Sequence, residues 1–197
     1  MTSYSPNKLT RRAVMAGMGA LVASPAFALS SAEAERLIDG AVGDIQRTIN
    51  SGKSQNAMFG DFERIFRKYA DVGTIARSAL GPPARSASKS ELNAFTDAFV
   101  GYLSRKYGKR FREFVGGEIT VTGARAVKQF QEVTATVKLR GQSPFAVSFM
   151  VSDRNKFFDL LIEGISLLKS ERAEIGAMLD KRRGDIAALT SDLKTAG

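Results

Sequence analysis

Val133 to Ser152 reads V-T-A-T-V-K-L-R-G-Q-S-P-F-A-V-S-F-M-V-S. Val133, Ala135, Val137 and Leu139 alternate with Thr134, Thr136, Lys138 and Arg140. After the break, Phe145, Val147, Phe149 and Val151 alternate with Ala146, Ser148, Met150 and Ser152. A period of two puts each apolar set on one face of a strand. Gly141-Gln142 between the runs is a hairpin signal. The passage therefore predicts two antiparallel strands sharing one apolar face.

The same period continues outward. Upstream, Ile119 and Val121 alternate with Thr120 and Thr122. Downstream, Asp153-Arg154-Asn155 is a turn, and Lys156 to Glu163 reads as a fourth strand. Four strands joined by short loops make an antiparallel meander. Before the sheet, apolar residues recur at helical spacing over 32–49, 55–70, 72–80 and from Ser88 or Ser90 to about Phe114. Gly81-Pro82-Pro83 and Gly116-Gly117 punctuate them. Two more helices follow, over 166–181 and 185–194. The fold class is α+β, with N-terminal helices and two C-terminal helices packed on a four-stranded antiparallel meander.

The 197 residues suit one domain behind a leader. Residues 1–28 read as a cleaved signal peptide. Lys8, Arg11 and Arg12 precede a mild apolar run, Ala13 to Ala23, and Ala26-Phe27-Ala28 is an A-x-A cleavage site. The T-R-R-A-V-M start resembles a twin-arginine signal. Residues 29–197 would then be a single periplasmic domain. The leader carries three of the nine net positive charges, leaving +6 for the domain. That charge suits anionic membrane surfaces or acidic partners. Nucleic acid fits the compartment poorly.

The chain has no Cys and no His, which excludes disulfides, thiolate or imidazole metal sites and His-based catalytic triads. Asp159 and Glu163 on one strand would stand about 13 Å apart, too far for a two-carboxylate dyad. The apolar residues are candidates for a ligand cavity as well as for core. From the helices these are Phe62, Phe66, Phe95, Phe99, Leu103 and Tyr107. From the strands they are Val133, Val137, Phe145, Val147, Phe149, Val151, Phe158, Leu160 and Ile162. Arg105, Lys109 and Arg112 form a basic row on the long helix, a candidate headgroup or partner surface. Leu168, Arg172, Ile175 and Leu179 fall on one helical stripe. A charge on a buried stripe needs a partner, so Arg172 is expected to pair with Asp159 or Glu163.

The run F-F-D-L-L-I-E-G-I-S-L-L-K-S-E-R, Phe157 to Arg172, resembles the C-terminal signature of the MlaC/toluene-tolerance family. The matching residues are Phe157, Asp159, Glu163, Gly164, Ser166, Leu167 and Arg172. Phe95, Phe99, Leu103 and Tyr107 also look like the family. The chain has Phe157 where the family often has Trp, and Glu171 where it often has an aromatic. The resemblance implies a nuclear-transport-factor-like cone with an apolar cavity, and a binding protein without catalytic residues. Phospholipid would be the cargo and no other cofactor would be needed. The family's partners are an inner-membrane ABC lipid transporter complex and an outer-membrane lipoprotein complex, with transient membrane-surface contact. A related branch implies hopanoid-type lipids instead. Two further readings are a nuclear-transport-factor-like enzyme acting on an apolar small molecule and a structural adaptor using the basic helix.

Overall fold

The structure, a computed structural model, describes residues 29–197; the expected signal segment, 1–28, lies outside the described residues. Helix α1 (Ser31–Ile49) starts from a capping box. The Ser30 hydroxyl accepts from the Glu33 N–H, and the Glu33 carboxylate accepts from the Ser30 N–H. Helices α2 (Gln55–Tyr69) and α3 (Val72–Leu80) follow, capped by Ser54 and Asp71. Ser88 and Glu91 repeat the capping box at α4 (Lys89–Gly108).

Helix α4 ends at Gly108, and a 3-10 turn, Phe111–Phe114, follows. The sequence reading carried this helix to Phe114. Its end combines a glycine with five cations, Arg105, Lys106, Lys109, Arg110 and Arg112. Like charges three and four apart, and glycine's poor helix propensity, both disfavour another turn.

The strands are β1 (Glu118–Val127), β2 (Phe130–Lys138), β3 (Phe145–Ser152), β4 (Lys156–Ile162) and β5 (Ile165–Ser166), in the order β1-β2-β3-β4-β5, all antiparallel. The meander is as expected, with a fifth, two-residue strand added. Glu163 and Gly164 form its turn, with φ of 48° and 82°. Two positive φ values are what a tight type I′ hairpin requires. Glu163 is thus an exposed turn residue, not a member of the fourth strand. Strand β1 runs further than its Ile-Thr-Val-Thr alternation indicates, because the register shifts between Val121 and Gly123.

A second register shift, between Met150 and Val151, decides which face β4 presents. Phe157 opposes Val151, Leu160 opposes Phe149 and Ile162 opposes Val147. These share the inner face with Val133, Ala135 and Val137, under α1 residues Ala34, Ile38 and Val42. Phe158, expected in that row, is absent from it; it packs against the helical cluster, and its ring meets Phe130 at 4.7 Å. Unbroken alternation would put 158, 160 and 162 together; one bulge residue moves 157 into that row.

Helix α5 (Leu167–Lys181) and α6 (Ile186–Leu193) close the chain. With α3 and α4 they form a second apolar cluster, around Phe95, Phe99, Ile175, Leu189 and Leu193. The start of α5 is held by Asp159. Its carboxylate accepts from the Ser166 hydroxyl at 2.6 Å, the Leu168 N–H at 3.1 Å and the Leu160 N–H at 2.8 Å. Ser166 in turn accepts from the Lys169 N–H at 3.1 Å. Asp159 is therefore an auxiliary cap joining β4 to α5, and it forms no ion pair with Arg172.

Arg172 is exposed, and neither Asp159 nor Glu163 pairs with it. Its guanidinium lies against Gly81, 3.6 Å from where a β-carbon would stand. The buried stripe of α5 runs through Glu171, Ile175 and Leu179, so the helix is rotated from the expected phase and Arg172 falls outside it. Asp159→Ala should cost about 1–3 kcal/mol, the range for a cap that also satisfies buried donors. Arg172→Ala should change stability by less than about 0.5 kcal/mol. Urea unfolding of the two variants against the parent measures both.

Candidate functional site

The apolar candidates sort into two groups by burial. Phe62, Phe95, Phe99, Val133, Val137, Val147, Phe149 and Val151 are buried. Phe66, Leu103, Tyr107, Phe145, Phe158, Leu160 and Ile162 are only half-buried. Phe95 and Phe99 stack on each other at 5.6 Å inside the helical cluster, a closed core position remote from the sheet's inner row. Phe62 belongs to a third, small cluster with Ile49 and Met58.

The half-buried residues connect these clusters. Phe157 packs against both the helical cluster and the sheet cluster, with its ring 5.9 Å from Phe66 and 5.7 Å from Phe149. Phe114 packs against both the sheet cluster and the third one. Leu160, Ile162 and Phe145 edge the sheet cluster, while Phe66, Leu103 and Leu168 edge the helical one. Every residue of β4 is half-buried, although the strand is paired to β3 along its length and to β5 at Leu161 and Ile162. A half-buried apolar seam, Phe157, Leu160 and Ile162, therefore runs along β4 beside the sheet cluster and meets the helical cluster at Phe157. Side chains there are neither closed core nor free surface. Such a seam offers apolar contact to a long, flexible chain and no hydrogen bonds.

At the α4–α5 contact the sequence reading missed a polar network. Glu171 is buried on the α5 stripe. One carboxylate oxygen accepts from Lys106 Nζ at 2.7 Å and from the Tyr107 hydroxyl; the other has no hydrogen-bond partner. Lys106 also donates to Glu174 at 2.6 Å and to the Tyr102 hydroxyl at 2.9 Å, and Tyr102 donates to Glu174 at 2.7 Å. Burial opposes the Lys106 charge, but its hydrogen bonds to Glu171, Glu174 and Tyr102 win and raise its pKa above the ordinary lysine range. Burial raises both tyrosines, with Glu171 adding to the effect at Tyr107. Tyr107, expected among cargo contacts, spends its hydroxyl here. The available sequence signal was Glu171, sitting between Leu168 and Ile175 at helical spacing.

The expected basic row is dispersed. Arg105 donates from Nε to the Ala196 carbonyl at 2.9 Å and from Nη2 to that of Leu193. Lys109 Nζ reaches the Gly197 oxygen at 2.6 Å. These two tie α4 to the residues at and after the end of α6 and do not form a free cationic face. The side chain of Arg112 lies outside the described residues, as does that of Phe111. Among the described residues no three carboxylates gather as a metal site, and no helix is long and apolar enough to cross a membrane.

The chain and its fold are similar to known proteins. The model of the MlaC protein family matches residues 37–195. A solved structure similar to this chain is a phospholipid-binding protein from Ralstonia solanacearum in complex with a phospholipid. It is 22% identical, with a TM-score of 0.70 over 81% of this chain and 94% of that one. No curated protein sequence matches the chain. The fold is thus shared with that protein, as the α+β reading required.

Lys106→Ala would leave Glu171 buried without its cation. The expected loss is about 3–5 kcal/mol. Lys106→Met combined with Glu171→Leu should recover most of it, because an apolar pair of similar volume removes both charges together. Chemical denaturation of single and double variants tests this coupling.

Proposed function

The chain is a member of the MlaC family, and we propose that it is a periplasmic phospholipid carrier. The acyl tails would lie in the apolar seam along β4, and the headgroup would remain outside. The carrier would move lipid between an outer-membrane lipoprotein complex and an inner-membrane ABC transporter. The observation that supports the reading is the half-buried apolar row Phe157, Leu160 and Ile162, in a fold shared with a phospholipid complex.

The physics is favourable. Each methylene withdrawn from water contributes about 0.8 kcal/mol, so about ten of them supply the roughly 8 kcal/mol of a micromolar complex before the costs of association. A seam that is only partly closed also lets cargo leave, which a carrier needs. The chain has neither His nor Cys, and the inner row of β4 carries no acid or base, so binding accounts for the site better than catalysis does.

Organic extraction and mass spectrometry of the protein purified without detergent should recover about one phospholipid per chain. Recovery of a polycyclic lipid instead would reassign the cargo, and recovery of none would refute the carrier reading. Leu160→Asp should lose the lipid while the circular dichroism spectrum is kept. Thr136→Asp, exposed on the outer face of β2, should keep it.

A further inference from the structure

With Arg105 and Lys109 committed to the chain's last residues, an open cationic surface is found elsewhere. A cleft of about 410 Å³ lies between α1 and α2. Four cations line it, Arg47, Lys53, Arg64 and Lys68, with two aspartates, Asp44 and Asp61. The aspartates are the inner members. Their side chains are 19% and 10% exposed, while those of Arg47 and Arg64 are 73% and 76% exposed. Asp44 accepts from Arg47, from Lys68 at 3.0 Å and from the Tyr69 hydroxyl at 2.7 Å. Asp61 accepts from Lys53 at 2.7 Å and from Arg64.

Each aspartate thus fixes two cations without neutralising both. Arg47 and Arg64 each use a single nitrogen on the carboxylate, so most of the donors of each guanidinium fork stay free. Planar forks held this way match phosphate oxygens in pairs. The end of α1 also reaches this cleft, and its carbonyls would repel an anion. Two are already engaged: the Thr48 hydroxyl donates to the Asp44 carbonyl at 3.0 Å, and the Ser51 hydroxyl to the Thr48 carbonyl at 2.7 Å. Ile65 lines the cleft as well and packs beneath it on Ile49, Met58 and Phe62. The volume falls within the range of small-ligand sites.

We propose that the α1–α2 cleft binds the phosphate group of a phosphate ester, at a place separate from the cargo seam. The ester is either a headgroup at a membrane surface or a free small molecule. The full protein would be titrated with phosphatidylcholine vesicles doped with phosphatidylglycerol, and separately with glycerol 3-phosphate, at low and high salt. Arg47→Gln combined with Arg64→Gln should weaken binding about tenfold or more and flatten its salt dependence. Lys53→Gln combined with Lys68→Gln should act in the same direction.

A control, Arg85→Gln combined with Arg172→Gln, removes the same charge from exposed side chains elsewhere and should leave binding as it was. Binding of vesicles alone supports the cleft as a membrane-headgroup site; binding of glycerol 3-phosphate as well supports a free ester. If the parent binds neither probe, or if the control loses as much as the cleft variants, the proposal is overturned. Lipid co-purifying with the cleft variants is measured in parallel. Its retention shows that a loss of phosphate binding is not a loss of the cargo site.

Discussion

One carboxylate joins the sheet to the C-terminal helices. Asp159 accepts from Leu160 within β4, from Ser166 in β5 and from Leu168 in the first turn of α5. Those three donors belong to three successive elements. The Glu163-Gly164 turn folds the chain back so that Ser166 faces Leu161 across the strand pair. The same serine then caps α5. The direction in which α5 leaves the sheet is therefore set within eight residues of β4. That direction places Glu171 beside Lys106 and Tyr107, and Ile175 inside the helical cluster. Of the charged positions in the Asp159–Arg172 stretch, Asp159 and Glu171 are structural, while Glu163, Lys169 and Arg172 are exposed.

The seam depends on a second constraint, the bulge at Met150–Val151. It rotates Phe157 into the inner row and Phe158 out of it. Phe157 is the residue on which the helical and sheet clusters meet, and its backbone also bridges to Ala70 and accepts from the Asp71 N–H at 2.8 Å. The α2–α3 junction is therefore pinned to β4 at Phe157 and the start of α5 at Asp159, while Leu160 and Ile162 remain half-buried.

Much of this was legible in the sequence. Strand alternation in Val133–Ser152 and the serines before Glu33 and Glu91 specify local structure through period and capping, which need no knowledge of distant residues. The apolar composition of the β4 row was readable too. Three features were not, because each depends on a distant partner or a single-residue shift. Phe158 left the inner row through one bulge residue. Arg172 left the buried stripe because the register of α5 places Glu171 there. Arg105 and Lys109 looked like a free basic row, since nothing local shows that Leu193, Ala196 and Gly197 return to meet them.

Glu171 shows how a charge can sit beside an apolar binding region without serving it. A lone buried carboxylate would be costly, and one of its oxygens is indeed unpartnered. Lys106 offsets this by serving Glu171 and Glu174 together, and the two tyrosine hydroxyls complete a network running from a buried acid to a half-exposed one. Hydrogen bonds of this kind are directional, so the network fixes the rotation and height of α5 against α4 more narrowly than apolar packing alone could. Leu103 and Leu168, on the same two helices, pack at the edge of the helical cluster. The ionic contact therefore fixes how the two helices that carry those apolar side chains sit against each other.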